Sequence, residues 1–320
     1  MGCGIYTGIV VGGGVMGAGQ GAADSTDPVS HAGAIVAHSR LKLSAICDVN
    51  ASMDAKSWGV PVYGSLELAL EETDPDFAVV AVPEGAQLNV LEHLLQSDVK
   101  LVVAEKPLAL KVSEAEDIVS CYKESGKKLI VNMSRRFSAT YSRMAEIFRS
   151  KDELPICATI YYAKGVRHNG VHGLDLVEYL FGDITSWTPL YHRIDYDASD
   201  PSVALFIQTK LCPQVFFSVL DERLVTHFEV DVFTDRRRYT VDSDHRRLST
   251  RVILEGVGIP RGRRFSSSNY SSTDYCKSLE NLMNNVVGVL DGHEDVICSG
   301  EDGIKSLKLA CAILEHVRDV

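Results

Sequence analysis

The chain has 320 residues, 45% of them apolar and 23% charged, which is too apolar for a disordered segment and long enough for about two domains. A net charge of −11 excludes the basic proteins that hold nucleic acid or anionic membranes by bulk electrostatics. The eight cysteines are scattered with no C-x-x-C pair, which argues against a zinc knuckle, a redox dithiol or a disulfide framework and for reduced thiols.

No apolar run approaches the roughly 18 residues of a membrane span. The first residues carry no basic region leading into an apolar stretch, and Tyr6 stands where a lipidation signal wants Ser or Thr. The expectation is a cytoplasmic protein with no membrane, nucleic-acid or metal partner.

In chain order, the first half alternates apolar runs at 8–11, 43–47, 77–82, 101–104 and 129–131 with helix-like stretches at 16–23, 51–58, 66–72, 86–96 and 113–125. Continuous apolar strands separated by helices of this length predict a doubly wound parallel α/β sheet covered on both faces. Ser113, with Glu116 three residues on, reads as a capping box.

The first strand runs Gly8-Ile9-Val10-Val11 into Gly12-Gly13-Gly14-Val15-Met16-Gly17, a G-x-G-x-x-G turn opening a helix. In such a turn Gly12 permits the bend and Gly14 lets the backbone approach a pyrophosphate. Gly17 lets the helix pack on the strand with its amides toward the phosphates. The second strand ends at Asp48, placed to accept from ribose hydroxyls and to repel a 2′-phosphate, which favours NAD over NADP; Asp48 also fits a plain turn residue. The long separation between the glycines and Asp48 is assigned to a Ser-, Asp- and Pro-rich loop at 19–33.

After residue 132 the rhythm changes. A helical stretch at 138–149 precedes strand-like runs at 156–163, 187–194, 203–210, 215–220, 228–233 and 239–241, and a helix near 302–317 closes the chain. Strands following strands predict an α+β domain with a mostly antiparallel sheet. The expected division is 1–132 for dinucleotide binding and 133–320 for substrate binding and oligomerisation.

Two further motifs follow the glycines in order: Ala104-Glu105-Lys106-Pro107, and His168-Asn169-Gly170-Val171-His172-Gly173-Leu174-Asp175. Together the three resemble the glucose–fructose oxidoreductase / inositol dehydrogenase / rhizopine-catabolism (Gfo/Idh/MocA) family over essentially the whole chain. The resemblance implies a Rossmann domain, an open-sheet domain, and hydride chemistry on a sugar or cyclitol. It maps the family's E-K-P lysine to Lys106 and its G-x-H-x-x-D residues to His172 and Asp175. It puts Val15, Met16, Val82, Pro83, Gln87 and Glu105 beside the nucleotide, and Arg136, His168 and Asn169 beside the substrate. It also implies a homodimer or homotetramer through the second-domain sheet.

The chemistry agrees with these roles. Oxidising a secondary alcohol needs a base for the hydroxyl proton, which an imidazole supplies, and a nearby ammonium stabilises developing alkoxide. Read singly, Lys106 fits a surface lysine and His172 a helix-terminal histidine; the conjunction of motifs favours the catalytic reading. Two positions depart from the family pattern: His168 stands where an aspartate is common, and Gln87 replaces the histidine of a T-P-x-x-x-H element. The Lys164-to-His172 stretch resembles members acting on nucleotide-linked or acidic sugars. Two rivals remain, an NAD-dependent redox-neutral glycoside hydrolase and a non-catalytic nucleotide-sensing regulator.

The segment 236–264 holds nine arginines and three acids. It reads either as an anion-binding loop or as a charged hairpin edge or oligomer contact.

Overall fold

The computed structural model describes residues 4–19, 28–50, 58–256 and 262–318. The first half builds a six-stranded, all-parallel sheet from β1 (Tyr6–Val11), β2 (Leu41–Cys47), β3 (Val62–Tyr63), β4 (Phe77–Val80), β5 (Leu101–Ala104) and β6 (Lys128–Val131). Its order, β3-β2-β1-β4-β5-β6, is that of a doubly wound dinucleotide-binding sheet. Every residue of β4 and β5 is buried, which is why these strands read as unbroken apolar runs.

The connecting helices are α1 (His31–Ala37), α2 (Leu66–Thr73), α3 (Glu84–Leu95) and α4 (Val112–Ser125). Ser30 caps α1 by accepting the Gly33 N–H at 3.2 Å, and Ser65 caps α2 in the same way. Gly126, at φ +75°, ends α4 in the left-handed conformation that glycine adopts freely.

Several sequence expectations change here. The loop expected at 19–33 gives way to helix at His31, because Ser30 supplies the cap; residues 20–27 lie outside the described residues. The helix expected at 16–23 is a π-helical turn over Val15–Gly19 as far as it is described, and that expected at 51–58 falls almost wholly outside the described residues. The Ser113/Glu116 capping box does not form. α4 starts at Val112 with Lys111 at its N-cap, so Ser113 is already inside the helix and Lys111 pairs with Glu114 at 2.7 Å.

The second sheet follows α5 (Ala139–Arg149). It comprises β7 (Pro155–Tyr162), then, after α6 (Val171–Phe181), β8 (Ile184–Asp197), β9 (Asp200–Thr209), β10 (Val215–Val219), β11 (Phe228–Thr234), β12 (Arg237–Val241), β13 (Arg247–Glu255), β14 (Arg263–Phe265) and β15 (Asn269–Ser272). All pairings are antiparallel except β7 with β10. Alternate residues such as Ile160, Leu205, Phe217 and Val230 point into one core with Phe148 of α5 and Phe181 of α6. Of the arginine-rich segment, the described residues are mostly strands β12, β13 and β14; residues 257–261 lie outside the described residues. Arg237 pairs with Glu153 at 3.3 Å, Arg238 with Asp231 at 2.8 Å and Arg263 with Glu255 at 2.9 Å.

Two last helices are α7 (Ser278–Leu290) and α8 (Gly300–Arg318). The chain divides into two units, Met1–Phe137 with Lys277–Lys305, and Ser138–Cys276 with Ser306–Val320. Residues 277–305 therefore return to the first unit, whereas the sequence division at 132/133 assigned them to the second. Asp291 accepts from Tyr6 Oη at 2.9 Å and from Arg40, Asn281 donates to the Phe137 carbonyl at 2.8 Å, and the Val131 N–H donates to the Cys298 carbonyl at 2.9 Å.

Asp274 caps α5 from a distance in sequence. Its carboxylate accepts from Ser138 Oγ and the Ala139 N–H, both at 2.7 Å, and from the Thr140 N–H at 3.0 Å. Burial pushes its carboxyl up, but these hydrogen bonds outweigh it and hold the group below the usual carboxylate range. The stabilisation is thus present above the unfolded pKa of about 3.9 and is lost as pH falls through the lower folded value. Asp274→Ala should lose about 1–2 kcal/mol in urea unfolding at pH 7, with the gap to wild type closing below about pH 3. An undiminished gap at pH 3 would contradict the capping role.

Candidate active site

β1 delivers the chain into the glycine turn. The Gly12 N–H donates to the Cys47 carbonyl at 2.8 Å, tying the turn to the end of β2, and the Gly13 N–H donates to Asp48 Oδ2 at 2.5 Å. Asp48 Oδ1 accepts the Asn50 N–H at 2.7 Å. The turn and the acidic residue expected to read a ribose are therefore one hydrogen-bonded unit at the carboxyl ends of β1 and β2.

The three motif glycines differ in what surrounds them. Gly12, at φ +100°, has the Ala81 carbonyl oxygen 2.3 Å from where a Cβ would sit, and at Gly17 a Cβ would lie 1.8 Å from the Gly12 oxygen. Both are required by the fold. Among the described residues nothing lies within 4 Å of where a Gly14 Cβ would sit, and Val15 and Met16 beside it are 57% and 41% exposed. An open glycine flanked by bare apolar side chains is the cradle that a pyrophosphate and its dinucleotide would fill, so these residues fit the cofactor.

Beyond β4, the half-buried Val82 and the exposed Pro83 lead into α3, with Pro83 at the N-cap. Gln87 of α3 is buried, and its Nε2 donates to the carbonyls of Glu105 and Pro107 at 2.6 Å each. Those donors face the protein loop. The Lys106–Pro107 peptide inside that loop is cis.

Glu105 Oε1 accepts from His31 Nε2 and from Asn132 Nδ2, both at 2.8 Å. Burial raises its carboxyl, but the hydrogen bond and charge of His31, then Asn132 and the Lys106 ammonium, outweigh that and hold it below the ordinary carboxylate value. Sequence reasoning missed His31, because it lies inside the stretch at 19–33 read as a loop. Arg136 is buried and pairs with Asp302 at 3.1 Å. Asp302 also closes a capping arrangement with Ser299 at the start of α8, so the pair ties Arg136 to that helix start.

In the second unit, residues 164–175 run from β7 through a π-helical turn (Gly165–Gly170) into α6. Lys164 takes the left-handed conformation at φ 76°, an uncommon state for a non-glycine residue. The turn is held by two aspartates not found from the sequence. Asp200 accepts the N–H groups of Arg167 and His168 at 2.8 Å each, and Asp195 accepts the Lys164 N–H at 2.9 Å. Burial pushes the Asp200 carboxyl up, with the two backbone donors opposing it. Asp200 sits in a D-A-S-D-P string that reads as an ordinary hairpin turn, so its capping role left no local signal.

Asn169 donates to the Ala163 carbonyl at 2.9 Å, closing the turn on β7. His168 is exposed and packs its ring against Tyr196, 4.9 Å between centroids, with the Lys164 ammonium 5.3 Å from the same tyrosine ring. His172 and Asp175 occupy the first turns of α6, His172 half-buried and Asp175 buried. Among the described residues no group of three or more His, Cys, Asp or Glu side chains is placed to hold a metal, and no helix is long and apolar enough to cross a membrane.

Residues 10–133 match the GFO_IDH_MocA family, an oxidoreductase family with an NAD-binding Rossmann fold. That match covers the first sheet and its glycine turn, so this part of the chain resembles the family. An inositol 2-dehydrogenase of Rhizobium meliloti (strain 1021) is 23% identical over 319 residues, covering 90% of this chain and 93% of the relative. Among solved structures, a putative NADPH-dependent oxidoreductase from Desulfitobacterium hafniense superposes with a TM-score of 0.79 at 16% identity, over 98% of this chain and 96% of that one. The WlbA dehydrogenase of Bordetella pertussis, solved with NADH and UDP-GlcNAcA, gives 0.72 at 19% identity over 98% and 97%. The match over residues 10–133 agrees with the glycine turn, the parallel strand order and the E-K-P loop.

The unequal surroundings of Gly14 and Gly17 separate binding from folding. Gly14→Ala should melt within about 2 °C of wild type yet bind NADH at least about tenfold more weakly, whereas Gly17→Ala should melt about 5 °C or more lower. Fluorescence titration and thermal melting check both; equal NADH affinity in Gly14→Ala and wild type would remove the cradle.

Proposed function

We propose that this protein is an NAD-dependent dehydrogenase acting on a secondary alcohol of a sugar, sugar derivative or cyclitol. The observation that carries the reading is the open cradle at Gly14, joined through the Gly13–Asp48 hydrogen bond to a carboxylate at the end of β2. That carboxylate is suited to two ribose hydroxyls and opposes a 2′-phosphate, which supports NAD over NADP. A bound nicotinamide supplies the hydride acceptor or donor.

Lys106 is assigned to steady negative charge developing on the substrate oxygen, since an ammonium in a partly dehydrated site acts more strongly than in water. His172 is assigned the hydroxyl proton, a transfer for which imidazole is well matched near neutral pH. Asp175, buried one helical turn on, is assigned to bias the imidazole toward one tautomer. His168, Asn169 and Lys164 lie on the same segment; the exposed His168 imidazole suits an anionic or nucleotide-linked sugar better than a neutral polyol, while the half-buried Lys164 ammonium pairs with Glu222 at 3.8 Å. The inositol dehydrogenase relative and the WlbA structure with UDP-GlcNAcA bracket these substrate classes.

Reduced-nicotinamide absorbance should rise when the protein and NAD meet one member of a panel of polyols, uronates and nucleotide sugars. NADP should support at least about tenfold less turnover, and Lys106→Ala or His172→Ala should lose about a hundredfold or more. Nucleotide binding with no turnover across the panel would shift the reading to a redox-neutral hydrolase or a sensor.

The face of the second sheet that turns away from its core carries Tyr191, Phe206 and Phe216, at least partly exposed, with Phe206 and Phe216 5.5 Å apart. An apolar, aromatic sheet face is suited to a second copy of the chain, as a homodimer or homotetramer. Light scattering should report at least a dimer; a monomer would overturn this assignment.

A further inference from the structure

A lysine amine sits on four freely rotating carbons, so its placement depends on how firmly its own backbone is held. Around Lys106 the backbone is held from two directions. On one side, the single Gln87 amide nitrogen bridges the carbonyls of Glu105 and Pro107, the residues immediately before and after the lysine. On the other, the Glu105 side chain is gripped by His31 from α1 and Asn132 from the end of β6. Three elements distant in sequence thus converge on three consecutive loop residues.

A core arranged only for stability would fill this space with apolar side chains. Instead His31 is fully buried, and its Nδ1 has no hydrogen-bond partner among the described residues; the same is true of Asn132 Oδ1. Unpaired buried polar atoms destabilise a fold. They are retained at the carboxyl ends of parallel strands, the edge where sheets of this order bind ligands.

We propose that Gln87, His31 and Asn132 are positioning residues for Lys106, holding its backbone and the neighbouring Glu105 carboxylate in place before any ligand arrives. Gln87 acts on the main chain, and His31 and Asn132 act on the anion beside the ammonium. The proposal rests on the reading of Lys106 as the group that meets cofactor and substrate. It gives the Gln87 departure from the T-P-x-x-x-H pattern a task, because a primary amide offers two N–H bonds on one nitrogen where each imidazole nitrogen offers one.

The test uses the full chain, NADH as the probe, and acetylation of Lys106 by acetic anhydride followed by peptide mass spectrometry. In wild type NADH should slow Lys106 acetylation about tenfold, a bound ligand against a preorganised side chain. At NADH concentrations that saturate each variant, protection of Lys106 should fall below about twofold in Gln87→Met and, separately, in His31→Leu. His31→Gln, which keeps a donor toward Glu105, should recover most of the protection. Should Gln87→Met not fold, Gln87→Asn, one methylene too short to bridge both carbonyls, carries the same comparison. Wild-type protection in these variants at saturating NADH overturns the proposal, as does NADH binding to wild type that leaves Lys106 unprotected. No NADH binding by wild type would instead bring down the nucleotide reading itself.

Discussion

Between β1 and β4 the order of the parallel strands reverses, and the connections that follow them leave toward opposite faces of the sheet. A crevice must open where they part. The backbone groups at its rim lack ladder partners, so side chains or turns have to satisfy them. Asp48 takes the Gly13 N–H, Gln87 takes two carbonyls of the E-K-P loop, and Glu105 gathers His31 and Asn132. The residues assigned to the nucleotide lie along this one topological reversal, where sheets of this order leave space for a ligand.

The second unit solves a related difficulty differently. Its helix α6 begins after a π-helical turn whose amides would otherwise be unpaired, and Asp200 and Asp195 reach across from β9 and β8 to take them. A carboxylate so placed is raised by its own burial, a disadvantage that its two backbone donors and the charge of Arg167 oppose without cancelling. Lys164 in a left-handed conformation adds local strain at the same point. Strain and buried charge accumulate on the segment that carries His168 and His172, the pattern expected where geometry matters more than stability.

Much of the first sheet was legible because a parallel strand buried on both faces has no choice but to be apolar along its length. β5 coincides with the run expected at 101–104, and β4 matches its first four residues before Ala81 leaves the ladder. The glycine turn was legible for a steric reason, since Gly12 and Gly17 have no room for a side chain. What failed to show was whatever depends on partners far apart in sequence. The arginines of 236–264 look like an unbalanced cationic loop until Asp231 and Glu153, outside the segment, are seen beside them. His31 carries no mark of its distance-spanning bond to Glu105, and Ser113 loses its expected role because the N-cap falls at Lys111, two residues earlier than the local pattern suggests.

The return of residues 277–305 to the first unit bears on how the chain is made. A ribosome emits residues in order, so the first sheet emerges early but waits for α7, with Asp291 for Tyr6 and Arg40, until nearly all of the second unit has followed. During that interval the surface meant for α7 is bare, and the nascent first unit is incomplete however well its strands pair. For the same reason neither unit is a contiguous cassette. A stop anywhere between 138 and 276 removes part of the nucleotide-binding half, and grafting that half onto another protein needs two segments joined by a new linker rather than one cut.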